Sequence, residues 1–350
     1  MLRTKIKPSH KGVLYLLIFI YFLISGLNLF NMDWQAQAKT IEKEVVVYSS
    51  RNAHLIKDIF ERYTQKSGVK VKFLTDKAPS LIQKLKIEGK RTQADLLLTV
   101  DAGNLWFAKS EGLFQPVSSK ILDKIPPHLK DPQNYWFGLS KRARTIVYHK
   151  DKINSQDIVS YENLGSEKFK GKLCLRTSKK VYNQSLVAMF IESMGAEKTL
   201  SMVKSWVKNL GSPILPSDNN VLKSILAGNC QIGIVNTYYF GRMLKEDPKI
   251  PLAIYWPDQE SGGVHINVSG AGVTKYAQHP QEAQKLLEWL AQPEAQKMFA
   301  DANMEYSVLP DVKPHPIVAK WGDFKSSKLN LKYAGQRQRE AVLLMDKAAY

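Results

Sequence analysis

The spacing of hydrophobic positions along the chain predicts an α/β protein. Residues 44–48 form an apolar strand, and the helical segment that follows carries apolar residues at amphipathic spacing. A half-buried strand at 69–73, a helix at 81–87 and a fully apolar strand at 95–100 come next. Strand, helix, strand, helix, strand in this order predicts parallel strands with helices packed on them.

The second half of the chain repeats this alternation. A strand at 171–176 leads into an apolar helix at 186–194, and the apolar run 232–235 opens a further helical pattern. At the usual ~150 residues per domain, the length suggests two lobes. The extended segments near 139–145 and 264–268 are then the crossings between the lobes, and we expect them to act as a hinge.

The start of the chain has the pattern of an export signal. A basic leader precedes an unbroken apolar run at 13–24, and Ala36-Gln37-Ala38 offers the small-x-small pattern that a signal peptidase recognises. We therefore expect a signal peptide, residues 1–38, cleaved after Ala38, and a periplasmic protein. An uncleaved anchor is the alternative, but polar residues interrupt the apolar run before the roughly 20 residues that a membrane span needs.

Composition narrows the class of partner. The formal net charge is +18, and such a basic chain attracts anions, nucleic acid or an acidic membrane face. There is no block of consecutive Lys and Arg and no interleaving of basic with aromatic residues, so nucleic acid is not expected as a partner of an exported protein. A hydrophobic content of 44% is enough to fill two cores.

The chain has two cysteines, Cys174 and Cys230. Export places them in an oxidising compartment, where a single disulfide is the economical expectation. Two buried free thiols are the alternative.

Three tyrosines stand where predicted helices begin. Tyr238 and Tyr239 follow the strand at 232–235, and Asn236 or Thr237 can cap the helix that carries them. Unpaired amides and the helix dipole at such an entrance favour negative charge, so a phenolate is stabilised there. Tyr182 lies at another helix entrance. An isolated pair of tyrosines more often packs against a sheet, and that alternative stays open at this point.

Two arginines share one side of a predicted extended segment. Alternation along the strand puts Arg142 and Arg144 on the same face. Planar guanidinium groups suit bidentate binding of carbonate, carboxylate or phosphate. Solvated surface arginines are the commoner explanation of such a pair.

Other kinds of site are not indicated by the sequence. It has no HxxxH or HExxH spacing, no CxxC, no acidic calcium loop and no Gly-rich phosphate fingerprint after the first strand. Ser49 and Ser50 near His54 are a weak nucleophile and base candidate without an evident third member. We therefore do not expect an enzyme, and an exported hydrolase that uses Ser49 or Ser50 with His54 is the least favoured alternative.

Several short motifs resemble those of the periplasmic ferric-iron-binding proteins of ABC importers, the bacterial transferrin-like members of the type II periplasmic binding proteins. The resemblance covers nearly all of residues 44–325, and its motifs lie at 48–51, 94–101, 136–139, 142–144, 182–186 and 236–239. It implies an α/β fold of two lobes with a hinge and a ligand cleft between them.

The resemblance also implies domain boundaries. We place lobe 1 at residues 39–139 plus 267–320, lobe 2 at 140–266, and a tail with a final helix at 321–350.

In that family two lobes close around ferric iron held largely by tyrosines, and the matching positions here are Tyr182, Tyr238 and Tyr239. Many members carry His-Tyr directly after the arginine of the first loop, whereas two other residues intervene here before His54. His54 is therefore a candidate metal contact from the first lobe, and a solvent-facing histidine is an equal alternative. The cysteine pair resembles a disulfide of some members.

Fe(3+) is then the transported ligand, and a synergistic anion such as carbonate completes its coordination. Arg51, Arg142 and Arg144 are the residues expected to hold that anion. The implied partners are the permease and ATPase of an ABC importer in the inner membrane, and a monomer is expected. The main alternative is a protein that binds an organic or phosphate-like anion, in which the tyrosines only line the cleft.

Overall fold

The computed structural model describes residues 43–350 and is organised around one mixed sheet of eight strands. The predicted signal peptide, its cleavage after Ala38 and the alternative of an anchor lie outside the described residues. The strands are β1 (Glu44–Ser49), β2 (Lys70–Thr75), β3 (Leu96–Val100), β4 (Phe137–His149), β5 (Leu173–Cys174), β6 (Ile232–Asn236), β7 (Leu252–Tyr255) and β8 (Ile266–Val273). Their order across the sheet is β2-β1-β3-β8-β4-β6-β5, and β7 pairs with β4 outside this path.

Helices pack on both parts of this sheet. They are α1 (Lys57–Ser67), α2 (Ala78–Glu88), α3 (Ala102–Ser110), α4 (Val181–Met194), α5 (Ala196–Lys208), α6 (Asp218–Leu226), α7 (Thr237–Glu246), α8 (Pro280–Leu290), α9 (Pro293–Asn303), α10 (Pro316–Ala319), α11 (Tyr333–Gln336) and α12 (Gln338–Lys347).

The first part of the sheet has the parallel order that the sequence predicts. β1 pairs in parallel with β2 and with β3, because an amphipathic helix follows each of the first two strands and returns the chain to the same edge. β8 returns late in the chain and pairs antiparallel with β3, which makes the sheet mixed. The predicted α/β fold class is confirmed.

β4 connects the two parts of the sheet. Its first half pairs with β8, and its second half pairs with β6 and β7. One large hydrophobic core lies around β1, β3 and β8, and a second lies around β6, α4 and α5. The crossing at 264–268 runs beside β4, where the Arg144 amide donates to the His265 carbonyl at 3.0 Å. The two predicted crossings are thus neighbours in space, whereas the lobe boundaries at 139/140, 266/267 and 320/321 stay a prediction.

The last part of the chain packs across both cores. α11 contacts α3 beside the first core and α4 beside the second, so closely that a Cβ on Gly335 would lie 2.5 Å from the Trp106 Cβ. α12 packs on α4 and α5, with Ala341 and Met345 inside the second core. The final helix predicted from the pattern corresponds to α12, and the short helix α11, which was not predicted, precedes it with Arg337 between the two.

Cys174 and Cys230 form a disulfide, as predicted, and their Cα atoms are 5.8 Å apart. The alternative of two free thiols is wrong. The strand predicted at 171–176 is shorter than expected, since only Leu173–Cys174 is regular. Beyond Cys174, the segment that lies beside this strand contains Pro213. Because proline has no amide hydrogen to donate, the pairing between the two segments there reduces to an isolated bridge. Within residues 43–350, no helix has both the length and the apolar content of a membrane span.

Candidate metal centre

A cavity of about 890 Å³ opens between the two cores. Ser50 and Arg51, which follow β1, lie on one side of it together with Lys77 at the start of α2. The first turns of α4 and α7 form the other side. Helix entrances therefore face the cavity, and their free amides favour an anionic occupant.

Tyr238 and Tyr239 lie in the first turn of α7, and both line the cavity. Their ring centroids are 4.5 Å apart. Asn236 occupies the N-cap position with an extended backbone, but its side chain does not cap the helix. Instead its Nδ2 donates to the Tyr238 hydroxyl at 3.1 Å, which fixes that phenol at the cavity wall.

Tyr182 reaches the same cavity from the first turn of α4. Burial raises its pKa above the ordinary value, and repulsion from Tyr239 adds to the rise, while Arg142 opposes it. The pKa of Tyr238 is raised well above its usual value by burial and then by Tyr182 and Tyr239. These mutual effects agree with the three tyrosines lining one cavity. Tyr182 and Tyr238 are consequently neutral at pH 7, and a strong positive charge is needed to remove their protons.

Cationic side chains surround the three rings. Arg242 lies over Tyr238 and Tyr239, with its Cζ 5.3 and 4.8 Å from the ring centroids. The Arg176 guanidinium and the Lys180 ammonium lie 5.4 and 5.0 Å from the Tyr182 centroid.

Arg176, Lys180 and Arg242 were not among the residues predicted for the site. Helical spacing could have indicated Arg242, because it follows the two tyrosines by three and four residues on α7 and so shares their face. Arg176 and Lys180 carry no comparable local signal.

Arg142 lines the cavity, as the anion prediction requires, and only 2% of its surface is exposed. Its Nη2 pairs with Asp101 at 3.2 Å, while its Nη1 has no hydrogen-bond partner in the described part of the chain. Its Cζ lies 5.6 Å from the Tyr182 ring centroid. An unpaired, buried guanidinium hydrogen beside the phenols is suited to an anion.

Arg144 shares the face of Arg142 but is not among the cavity-lining residues. Its guanidinium is buried against Asp218 at 3.1 Å and Asn183 at 2.8 Å, behind the tyrosine helices. Contact with an anion in the cavity would require Arg144 to leave these partners.

Arg51 does line the cavity, and its Nη1 is paired with Glu305 at 3.0 Å and with the Ser140 hydroxyl at 3.0 Å. Its Nε and Nη2 have no hydrogen-bond partner among residues 43–350.

His54 is exposed in a short 3-10 helix, Ala53–Leu55, and it is not among the residues that line the cavity. Its predicted contact with a metal stays a prediction. The Ser49 hydroxyl accepts from the Arg51 amide and the Ser50 hydroxyl accepts from the Val100 amide. The described residues show no hydrogen bond from either serine to His54, and the hydrolase alternative gains no geometric support.

No group of three or more His, Cys, Asp or Glu side chains suited to a metal occurs between residues 43 and 350.

Two α/β cores joined by a common strand, with a charged cavity between them, define a binding protein of the cleft type. Residues 58–326 match the bacterial extracellular solute-binding proteins, and the chain belongs to that family.

Relatives with known names agree with this class. The chain is 37% identical over 316 residues to Iron uptake protein A1 of Synechocystis sp., covering 88% of each chain. It is 37% identical to a Trichodesmium protein (IdiA, FutA) solved in complex with iron and citrate, with a TM-score of 0.85 over 88% of this chain and 99% of that one. The ferric binding protein from Campylobacter jejuni matches with a TM-score of 0.81 at 33% identity, over 87% and 99% of the two chains. The resemblance to periplasmic ferric-iron-binding proteins is confirmed.

Proposed function

We propose that this protein captures ferric iron in the periplasm and delivers it to the permease and ATPase of an ABC importer. Tyr182, Tyr238 and Tyr239 bind the ion as tyrosinates, and a synergistic anion fills the remaining positions. The names of the relatives support ferric iron as the cargo.

The observation that carries the proposal is the convergence of three phenols from two helix entrances on one cavity. Packing alone would not require three phenols from two separate helix entrances to line one cavity. Ferric iron is a hard, highly charged ion that prefers anionic oxygen, and tyrosinate is an established iron ligand in proteins. Because burial keeps Tyr182 and Tyr238 protonated, binding displaces their protons, and only a strong Lewis acid offsets that cost.

The anion is held by the guanidinium groups on the cavity wall. Arg142 offers its unpartnered Nη1, and Arg51 offers its Nε and Nη2. The cavity, at about 890 Å³, has room for an ion together with a carbonate or a larger carboxylate. A related protein was solved with citrate as well as iron. In this assignment Arg144 supports the tyrosine helices and does not contact the anion.

Capture is completed by closure of lobe 1 (39–139 plus 267–320) on lobe 2 (140–266) about β4 and the crossing at 264–268. A ligand favours the closed state only by contacting both lobes, and the cavity has cationic side chains on each side. His54 can contribute only if closure brings its helix to the cavity. The exported protein begins at Lys39 and acts as a monomer.

The proposal is tested by adding ferric citrate to the metal-free protein that starts at Lys39 and following visible absorbance. A tyrosinate-to-iron band should grow to saturation at one equivalent. Tyr239→Phe keeps the ring but removes the oxygen, so it should weaken binding by more than roughly 100-fold, since even supporting residues of a metal site contribute ~10–100-fold.

Tyr48→Phe is the matched control. The Tyr48 phenol donates a hydrogen bond to Glu88, and Tyr48 does not line the cavity. Loss of the Tyr48 hydroxyl should therefore leave the visible band unchanged. If the wild-type protein binds citrate or phosphate without any visible band, the anion-binding alternative is correct and the iron site is wrong.

A further inference from the structure

Tyr350 lies three residues after the end of α12, and it makes three hydrogen bonds through its hydroxyl and its carbonyl, all of them with the segment 176–183. Its hydroxyl donates to the Arg176 carbonyl at 2.6 Å and accepts from Asn183 Nδ2 at 2.7 Å. Its carbonyl accepts from the Ser178 hydroxyl at 2.8 Å. One side chain thus ties together both ends of this segment.

The backbone before Tyr350 is turned to make these contacts possible. Ala349 has a φ of +57°, in the left-handed region that L side chains adopt only at a cost. The Ala349 amide donates to the Asp346 carbonyl and the Tyr350 amide donates to the Met345 carbonyl, each at 2.9 Å. This is the Schellman arrangement, in which glycine usually occupies the left-handed position. Here alanine occupies it, and the turn carries Tyr350 back to the segment 176–183.

The segment that Tyr350 holds is the one that presents Tyr182. Asn183, its neighbour in the first turn of α4, also donates to the Arg176 and Thr177 carbonyls at 2.7 and 3.1 Å. The Arg176 side chain lies over the Tyr182 ring, with 5.4 Å between its Cζ and the ring centroid. Both the phenol and a cation beside it therefore depend on the backbone of 176–183.

The Tyr350 phenol is suited to this task because it remains a neutral donor. Burial raises its pKa above the ordinary value, although nearby Arg144 opposes the rise. Its ring packs on the second core, against which α4 also lies. The oxygen is thus held by a rigid part of the fold.

We propose that Tyr350 is a positioning residue of the iron site, which sets the place of the Tyr182 oxygen through Asn183 and the Arg176 carbonyl. This inference rests on the proposed function. Without the Tyr350 oxygen, only the direct hydrogen bonds from Asn183 to the Arg176 and Thr177 carbonyls still join the two ends of the segment 176–183, and Tyr182 is presented to the ion less accurately.

The test is Tyr350→Phe, which keeps the ring and its packing. Ferric affinity is measured by competition with citrate, the visible band by its maximum, and stability by the midpoint of urea unfolding. Binding should weaken about tenfold, which corresponds to ~1.4 kcal/mol, and the band maximum should shift because the Tyr182 oxygen bonds the iron differently.

Tyr48→Phe again serves as the control, because it loses hydrogen bonds to Glu88 far from the cavity. It should lower the urea midpoint without changing affinity or band. Equal weakening of iron binding in the two variants would show that the loss follows general stability, and would overturn the positioning role.

Tyr182→Phe in the same series separates this inference from the proposed function. If Tyr182→Phe binds iron as the wild type does, the iron site itself is wrong. If Tyr182→Phe loses binding and Tyr350→Phe does not, only the positioning role is overturned. Should Tyr350→Phe not fold, Ser178→Ala decides, since it removes the second anchor of residue 350 and is expected to weaken binding about threefold; unchanged affinity would overturn the inference.

Discussion

Replacement of Arg144 by alanine should destabilise the fold far more than it alters the cavity. The Arg144 guanidinium is buried and donates to both Asp218 oxygens, at 3.1 and 3.3 Å. It also donates to Asn183, which follows Tyr182, at 2.8 Å and to Asn236, which donates to the Tyr238 hydroxyl, at 3.2 Å. Although burial alone would lower the pKa of Arg144, the Asp218 carboxylate raises it, so the Arg144 guanidinium remains charged beside Asp218.

The size of this loss of stability depends on the Asp218 charge that Arg144→Ala leaves buried. Asp218 has no exposed surface, and its remaining cationic neighbour, Arg176, lies 3.5 Å away. Removing one partner of a buried ion pair typically costs ~3–5 kcal/mol. A protein with roughly 5–15 kcal/mol of stability would lose about a fifth or more of it. At about 2 °C per kcal/mol for a chain of this size, the melting temperature should fall by roughly 6–10 °C.

Urea unfolding of the metal-free protein, followed by tryptophan fluorescence, measures this loss directly. The double variant Arg144→Met with Asp218→Asn removes both charges of the pair, and it should recover at least ~1 kcal/mol relative to Arg144→Ala, because the Asp218 carboxylate is no longer buried without Arg144, although Arg176 loses its 3.5 Å contact with that carboxylate. If Arg144→Ala unfolds within ~1 kcal/mol of the wild type, or if the double variant is no more stable than the single one, the reasoning is refuted.

Two other predictions concern the same core and the crossing beside it. Replacing Cys174 and Cys230 together by alanine should lower the free energy of unfolding by ~4 kcal/mol, since the disulfide closes a loop of 56 residues, and equal urea midpoints would contradict this. Burial, with Arg142 and Arg144 nearby, lowers the pKa of His265 from 6.5 to about 3. Because the pKa of His265 is lower in the folded protein than in the unfolded chain, the unfolded chain takes up a proton first as the pH falls. The stability of the fold is therefore unaffected by His265 above pH 6.5 and decreases as the pH falls toward 3. His265→Leu should therefore lose less stability than the wild type between pH 7 and 4.5, and parallel curves of urea midpoint against pH would refute the assignment.

The main elements were predictable because each depends on a local pattern. The fully apolar run 95–100 and the apolar run 232–235 are buried strands, as their composition indicates. The placement of Tyr238 and Tyr239 in the first turn of a helix was also local, since it required only that a strand end and a helix begin at Asn236.

The shortened strand after Cys174 and the additional short helix α11 before the last helix were not predictable in the same way. The first depends on a neighbour that contains Pro213, about forty residues away in sequence. The second depends on α11 fitting between α3 and α4, a space that exists only once both cores have formed.

By itself, the sequence determined the α/β class, the disulfide partners in an exported chain, and the helix entrances that carry the three tyrosines. These rest on periodicity, cysteine count and local start signals. The tertiary structure alone decided which charged residues share the cavity. Arg142 and Arg144 look equivalent on one strand face, yet Arg142 lines the cavity while Arg144 is paired with Asp218, because the partner of a buried charge comes from a distant part of the chain that no local pattern specifies.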